Sequence, residues 1–224
     1  MTTTPQFELF AFWRSSATYR IRVALRLKGL PFNERFVNLD QSEQRDDVFL
    51  KINPLGGLPV LFDRGSSRPV RLTQSLAMLE YLEETHPSPR LLPQDPLGRA
   101  RVRSLAGMMV TDTHPLIVPR VKKYLTTEGK FDDAAWRAWQ IQWFTAGLKA
   151  MERRLTSEAE TGRYCHGDAV TIADICLASI VAVTRVFKIE IARIPTVDRI
   201  IALCETNEAF AKADPRLQEG APKL

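Results

Sequence analysis

The chain has 224 residues, of which 45% are hydrophobic and 25% charged, a composition typical of a globular protein that can bury a core. Its formal net charge of +5 is spread along the sequence, which argues against a nucleic-acid surface. No stretch approaches the roughly 18 apolar residues of a membrane span, and residues 1–10 do not resemble a secretory signal. We therefore expect a cytoplasmic protein with neither a nucleic acid nor a membrane as partner.

The three cysteines, Cys165, Cys176 and Cys204, lie far apart and form no CxxC pattern. This spacing argues against a disulfide framework and against a zinc site, so we expect no metal. Unpaired cysteines fit the reducing environment of the cytosol.

Strand and helix patterns alternate over the first third of the chain. The helix that begins near residue 17 has apolar residues at helical spacing, and Gly29 and Pro31 are placed to end it. A turn-rich segment, 64–69, joins two short strands into a hairpin. The pattern predicts a small α/β unit. Its elements are strands at 7–13, 33–39, 58–63 and 70–72 and helices at 17–29, 45–53 and 75–86.

The sequence changes character at residues 86–96, which contain four prolines. Helices rarely cross such a segment, so we place a domain boundary between residues 88 and 89. Beyond it the alternation typical of strands is almost absent, which predicts an all-α bundle. The predicted helical stretches are 97–126, 132–157, 171–187 and 196–206.

Two serines, Ser15 and Ser16, stand between the first strand and the first helix. The start of a helix leaves backbone N–H groups unpaired and carries about half a positive charge. A hydroxyl there can cap the helix, or it can donate a hydrogen bond to an anion held at the same point. For a bound thiolate, a pKa reduced by about two units corresponds to roughly 2.7 kcal/mol. From these residues alone the simple cap is favoured.

Two further junctions carry similar features. Leu58-Pro59 opens a strand after a Gly-rich turn and is a candidate cis bond that leaves the Leu58 backbone available to an extended ligand. The alternative is an ordinary trans proline at a strand start. Gln74 and Ser75 stand at the start of the next helix, either as an anion site or as another cap.

These features together resemble the glutathione transferases, and in detail their zeta class, which includes maleylacetoacetate isomerase. That class typically carries SSCSWRVRIAL, QSLAIIEYLEE, RLLPQDP and GDEVTMADLCL. The likeness runs nearly end to end. It implies a thioredoxin-like glutathione-binding domain at 1–88 and an all-helical substrate domain at 89–224. The matching segments are SSATYRIRVAL (15–25), NPLGGLPVL (53–61), QSLAMLEYLEE (74–84), RLLPQDP (90–96) and GDAVTIADICL (167–177).

The resemblance also implies roles for individual residues. The Ser15 hydroxyl would stabilise the glutathione thiolate with support from Ser16, and Leu58, followed by Pro59, would hold the cysteinyl backbone. Gln44, or alternatively Gln41, would reach the glycyl end. The remaining implied contacts are Gln74 and Ser75 at the γ-glutamyl end, His114 at the glutathione or substrate site, and Arg14 toward an acidic substrate.

Thr171 and Asp174 have a structural interpretation. Thr171 is placed as the N-cap of a helix, and Asp174 three residues later can return the hydrogen bond, as in a capping box. We assign this pair to folding of the helical domain.

The sequence departs from the zeta class where that class binds a dicarboxylic substrate. The class cysteine is Ala17 here, its asparagine pair is Ile117 and Val118, and a later arginine is Val186. Arg185 lies one position earlier, about 100° away around a helix. These changes favour a more apolar acceptor pocket.

Three functions therefore stay open. The first is a zeta-like glutathione transferase whose thiolate attacks an electrophilic acceptor more apolar than maleylacetoacetate. The second is a glutathione-dependent cis–trans isomerase of maleylacetoacetate or maleylpyruvate. The third is a non-catalytic carrier or interaction module. By resemblance we expect a homodimer.

Overall fold

A computed structural model describes residues 5–65 and 69–223 of the chain. These residues form two compact units: the described residues up to Arg90, together with the segment from Asn207 onward, and the residues Leu91–Thr206. The sequence placed the boundary between 88 and 89 and assigned everything beyond it to the helical domain. The structure instead returns the C-terminal segment to the first unit, where its short helix, Glu208–Ala211, packs on the helix Ser16–Leu27.

The first unit contains a four-stranded mixed sheet. Its strands are β1 (Phe7–Ala11), β2 (Phe32–Phe36), β3 (Val60–Asp63) and β4 (Val70–Thr73), in the spatial order β2-β1-β3-β4. β1 is parallel to β2 and antiparallel to β3, and β3 is antiparallel to β4. β1 is shorter than predicted because Phe12 and Trp13 are no longer paired in the sheet. Both side chains remain buried, so the apolar segment extends beyond the end of the strand. The predicted turn at 64–69 lies partly outside the described residues.

The first helix, α1, is buried over most of its length, more than an amphipathic pattern predicts. It packs on the helices Ser75–Thr85 and Glu208–Ala211, which accounts for its burial on more than one side. Its end is fixed by Lys28, whose Nζ donates to Glu83 Oε2 at 2.9 Å and to the backbone oxygens of His86 and Pro89. The helices of this unit are α1 (Ser16–Leu27), α2 (Asp47–Ile52), α3 (Ser75–Thr85) and α9 (Glu208–Ala211).

The second unit is helical, as predicted, but the stretch predicted at 97–126 is not one helix. A π-helical turn at Met108–Thr113 and a 3-10 turn at His114–Ile117 interrupt it. Pro115 and Pro119 lack the backbone N–H that a continuous helix needs, which explains the break. The helix Ile172–Val186 forms the core of this unit, with nearly every residue buried. The helices are α4 (Pro96–Gly107), α5 (Pro119–Thr127), α6 (Asp133–Ser157), α7 (Ile172–Val186) and α8 (Pro195–Glu205).

The predicted fold class, an α/β unit followed by a helical bundle, is confirmed. Within the described ranges, no helix is long and apolar enough to cross a membrane.

Candidate active site

The sheet register brings the three predicted junctions to one edge. Phe10, near the end of β1, pairs with Val60 at the start of β3, and Val60 pairs with Thr73 at the end of β4. The chain leaves β1 toward Ser15, enters β3 through Leu58, and leaves β4 toward Gln74 at this same edge. Groups that are about 60 residues apart in sequence therefore lie at the same edge of the sheet.

Ser15 is the N-cap of α1. Its backbone is extended (φ −70°, ψ 113°), and its Oγ accepts a hydrogen bond from the Thr18 backbone N–H at 3.2 Å. A serine hydroxyl accepts with its lone pairs and still has one proton to donate. Capping and donation to a thiolate are therefore compatible, and the alternatives that the sequence left open do not exclude each other. Ser16 follows as the first residue of α1 and is buried.

The Gly-rich turn before β3 is held by Asn53. Its Nδ2 donates to the Gly57 carbonyl at 2.8 Å, and its Oδ1 accepts from the Leu55 N–H at 3.2 Å. The Leu58-Pro59 peptide bond is cis. Across the described part of the chain, the Leu58 backbone has no hydrogen-bond partner, so both its N–H and its carbonyl are available to an extended ligand.

Of the two glutamines proposed for the glycyl end, the structure distinguishes Gln44 from Gln41. Gln44 is 8% exposed, and its Oε1 is buried without a hydrogen-bond partner among the described residues. Gln41 is exposed. The Gln44 carbonyl packs closely on Gly56, where a Cβ would lie 2.8 Å from that oxygen and where φ is +61°. A side chain at Gly56 would therefore push the turn away from Gln44.

Gln74 and Ser75 begin α3. Gln74 has φ 68° and ψ 112°, a conformation that a non-glycine residue rarely adopts and that stores about 1–3 kcal/mol of strain. Ser75 is the first residue of the helix, and its Oγ accepts a hydrogen bond from Arg20 Nη1 at 2.8 Å. Arg20 is a contact of this helix start that the sequence motifs do not predict. Its signal was an arginine amid the apolar residues of α1.

Arg14 lies beside the serines, but its guanidinium is already paired with a carboxylate of the protein itself. Its guanidinium stands over the rings of Phe12 and Trp13, with Cζ 5.1 and 5.4 Å from their centroids. It also forms a two-bond ion pair with Asp40, in which Nη1 donates to Oδ2 at 2.9 Å. The charge that was expected to attract an acidic substrate is thus partly neutralised within the protein.

The other predicted substrate residues belong to the helical unit. His114 begins the 3-10 turn, Val118 is the half-buried N-cap of α5, and Ile117 is buried. Arg185 is exposed on α7, and its guanidinium pairs with Glu205 on α8. A substrate role for Arg185 would require that pair to open, so this role stays a prediction.

The predicted capping pair at the start of α7 is in place. Asp174 Oδ2 accepts from both the backbone N–H and the hydroxyl of Thr171 at 2.8 Å, and Oδ1 accepts from the Cys165 N–H at 2.7 Å. Burial raises the pKa of Asp174, although these hydrogen bonds oppose the shift. The pair connects the helix start to the preceding loop, which is a structural role.

The cysteines carry no nucleophilic chemistry in this structure. All three are buried and none is part of a disulfide, and burial raises the pKa values of Cys165 and Cys204. Among the residues that the structure describes, no group of three or more His, Cys, Asp or Glu side chains is arranged to hold a metal ion.

Comparison with known proteins agrees with this architecture. The family description "Glutathione S-transferase, N-terminal domain" matches residues 5–84. The chain is 39% identical to a maleylpyruvate isomerase from a Ralstonia species over 94% of this chain and 98% of that protein. It is 38% identical to maleylacetoacetate isomerase from Rattus norvegicus over 96% of this chain and 94% of that protein.

Solved structures give the same result. A maleylacetoacetate isomerase from Methylobacterium extorquens AM1, solved with bound malonate and GSH, superposes with a TM-score of 0.92 at 46% identity, over 96% of this chain and all of that one. A bacterial maleylpyruvate isomerase described as a zeta-class glutathione S-transferase gives a TM-score of 0.91 at 38% identity, again over 96% and 100%. The chain belongs to the glutathione S-transferase family. The predicted likeness to its zeta class is confirmed.

Proposed function

We propose that this protein binds glutathione along the sheet edge and uses its thiolate to isomerise a cis-configured, maleyl-type acid to the trans form. The observation that carries the proposal is the register of β1, β3 and β4, which brings Ser15, Leu58 and Ser75 to one edge. The relatives named as maleylacetoacetate and maleylpyruvate isomerases, similar over nearly the whole chain, support the choice of reaction.

Each part of the tripeptide has a matching group in this proposal. The Ser15 hydroxyl donates to the thiolate at the positive end of α1, which lowers the thiol pKa. The unpaired Leu58 backbone binds the cysteinyl residue as a short β-ladder. The γ-glutamyl carboxylate lies at the start of α3 with Gln74 and Ser75. Gln44 binds the glycyl end. Its buried amide oxygen, which has no hydrogen-bond partner among the described residues, is placed to accept from the glycyl N–H.

The chemistry consists of an addition and its reversal. The thiolate adds to one carbon of the double bond, and the electron pair of that bond moves into the conjugated carbonyl as an enolate. The former double bond is now single and rotates. The enolate then reforms the double bond in the trans geometry and expels the thiolate, so glutathione is regenerated and no net proton or electron is consumed.

A glutathione transferase acting on an apolar electrophile is the second candidate. Ala17, Val118 and Val186 replace polar class residues, and Arg14 and Arg185 are paired with Asp40 and Glu205. These features reduce the positive charge available to a diacid. In this version the thioether adduct is released as product.

One assay separates these possibilities. The rate of cis-to-trans conversion of maleylacetone is measured with and without glutathione, beside conjugation of glutathione to an apolar aryl halide. Glutathione-dependent isomerisation supports the first proposal. Conjugation without isomerisation supports the transferase. Binding of glutathione with neither activity supports a non-catalytic glutathione carrier. No binding at millimolar glutathione refutes both enzymatic functions and favours a non-catalytic interaction module.

We also propose a homodimer in the cytoplasm. The class resemblance supports the dimer, and large apolar side chains that are exposed in the single chain, among them Val48 and Tyr124, offer surface to a second copy. Light scattering coupled to size-exclusion chromatography tests this state, and a mass near the 25.4 kDa of one chain contradicts it.

A further inference from the structure

A cavity of about 530 Å³ lies in the first unit, away from the proposed glutathione site. It lies between the end of α1, the start of β2 and the C-terminal segment. Phe32 at the start of β2 pairs with Phe7 at the start of β1, whereas the glutathione edge follows the other end of β1. The volume of the cavity falls in the range typical of small-molecule sites.

The C-terminal wall of this cavity is held in place by the protein itself. Gln218 Nε2 donates a hydrogen bond to the Lys212 carbonyl at 2.9 Å. Gly220, at φ +83°, packs so closely on the Phe36 ring that a Cβ would not fit between them. Leu217 is thereby kept at the cavity although 71% of it is exposed, which leaves apolar surface for a ligand to cover.

Four charged side chains line the cavity, and two of them are paired within the protein. Glu34 accepts hydrogen bonds from Arg22, whose Nε donates at 2.9 Å and whose Nη2 donates at 2.7 Å. Lys212 forms an ion pair with Glu208, four residues earlier in the chain. The charges of Glu34 and Lys212 are therefore balanced without a ligand.

Arg26 is the cation that remains. It is half-buried, and its side chain donates no hydrogen bond to any residue that the structure describes; its Nη1 is buried without a partner. Burial lowers the pKa of Arg26, although the charge of Glu34 opposes this shift. A guanidinium has five N–H donors, so Arg26 can bind a carboxylate without giving up an existing hydrogen bond.

Glu219 is the anion that remains. It is exposed, and among the described residues its carboxylate accepts no hydrogen bond and forms no ion pair. Arg26 and Glu219 line the same cavity but do not pair with each other. A ligand with only a carboxylate would leave Glu219 unmatched, and a ligand with only an amine would leave Arg26 unmatched. A zwitterion matches both charges at once.

We propose that this cavity binds a free α-amino acid with a large apolar side chain. The carboxylate of the ligand binds Arg26, its ammonium group binds Glu219, and its side chain covers Phe32 and Leu217. The cavity is separate from the glutathione edge, so this inference does not depend on the proposed function.

A purely structural role for Arg26 predicts a different result. Arg26 belongs to the last turn of α1, where a cation favours the helix dipole, and its Cζ stands 5.1 Å from the centroid of the Phe32 ring. Arg35 on β2 is the matched control, because its Cζ stands 5.2 Å from the centroid of the Phe10 ring and it does not line the cavity. If both arginines only stabilise the unit, replacing either one lowers stability without a selective effect on a ligand.

Calorimetric titration of the full chain with three compounds tests the two charges separately. L-Phenylalanine carries both charges, 3-phenylpropionate lacks the ammonium group, and 2-phenylethylamine lacks the carboxylate. We expect L-phenylalanine to bind about fivefold or more tightly than either truncated compound, because hydrogen bonds to charged groups contribute on that scale. Saturating S-hexylglutathione, which occupies the proposed glutathione site, should change this affinity by less than about twofold.

Three variants assign the charges to residues. Arg26→Gln should weaken binding of L-phenylalanine by about tenfold or more and binding of 2-phenylethylamine by less than about twofold. Arg35→Gln should leave both affinities unchanged. Glu219→Gln should weaken L-phenylalanine without weakening 3-phenylpropionate. Because Glu219 is exposed and unpaired among the described residues, this variant keeps the inference testable if Arg26→Gln does not fold.

Four results would overturn the inference. These are no binding of L-phenylalanine at millimolar concentration, equal affinity for 3-phenylpropionate, displacement of L-phenylalanine by S-hexylglutathione, and an affinity that neither Arg26→Gln nor Glu219→Gln reduces. Wild-type protein that binds L-phenylalanine but no glutathione refutes the proposed function alone. Wild-type protein that binds glutathione but not L-phenylalanine refutes this inference alone.

Discussion

Replacing Ser15 separates its two roles, because the structure makes it both a helix cap and the proposed thiolate donor. Ser15→Ala loses the hydrogen bond from the Thr18 N–H, which should lower stability by about 1 kcal/mol. It also removes the O–H donor, and a hydrogen bond to a charged group contributes about 1.5–3 kcal/mol. That range corresponds to a rise of about one to two units in the pKa of the bound thiol.

The pH dependence follows from that shift. If the bound thiol titrates near pH 6.5 in the wild type, about two units below the free thiol, most of it is thiolate at pH 7. In Ser15→Ala the thiolate fraction at pH 6 falls by about tenfold or more, whereas near pH 9 both proteins are largely ionised. We therefore expect a turnover deficit of at least about tenfold at pH 6 that shrinks steadily toward pH 9.

Ser15→Asp is the matched control. Aspartate is a good N-cap and accepts from the Thr18 N–H, so the melting temperature should stay near that of the wild type. It has no proton to donate, and its negative charge repels the thiolate, so turnover should be lost at every pH. Turnover and thermal melting are measured for both variants across this pH range. A Ser15→Ala profile parallel to the wild type would refute the proposed role of the hydroxyl.

Three further predictions concern Gln74, Tyr81 and Lys28. Gln74→Gly relieves about 1–3 kcal/mol of backbone strain. It costs about 0.5–1 kcal/mol because glycine gives the unfolded chain more conformational freedom. It should therefore raise the melting temperature while weakening glutathione binding in calorimetry; an unchanged affinity would argue against a contact from Gln74. The pKa of Asp63 is lowered: burial alone would raise it, but hydrogen bonds from Tyr81, Gly65 and Gln6 outweigh burial. The hydrogen bond to Asp63 in turn raises the pKa of Tyr81 to about 12. The stability from Asp63 is thus present above its unfolded pKa of about 3.9 and is lost as the pH falls through its lower folded value. Tyr81→Phe should cost about 1.5–3 kcal/mol in urea unfolding at pH 7 and clearly less at pH 3, and an equal cost at both would contradict this. Lys28→Met removes one half of a buried ion pair with Glu83 and should cost about 3–5 kcal/mol; if adding Glu83→Leu recovers none of it, the loss does not come from the ion pair.

The positions of the strands and helices in the first unit followed from local signals. Apolar alternation, the stop at Gly29 and the Pro-rich segment at 86–96 each act within a few residues, so they can be recognised in one sequence. The helix at 75–86 was likewise predicted within one residue of its observed end. The break of the predicted stretch at 97–126 was missed, although Pro115 and Pro119 are visible in the sequence.

Long-range contacts decided what the sequence left open. The return of the segment beyond Asn207 to the first unit depends on α9 packing against α1, and nothing local marks it. The pairing of Arg14 with Asp40 depends on loop geometry and changes how much charge is available to a substrate. Burial of Gln44 distinguishes it from Gln41 because the Gly56 turn packs on one and leaves the other exposed.

The sequence by itself determined which residues stand at helix starts, because caps and turns are chemical requirements of the nearest backbone groups. It thereby identified Ser15, Leu58 and Ser75 as candidates and, through the resemblance, the family. Only the tertiary structure decided that these three belong to one sheet edge and that Arg20 lies beneath one of them. The reason is that strand register and side-chain burial depend on how the whole unit packs, so no single segment of the sequence determines them.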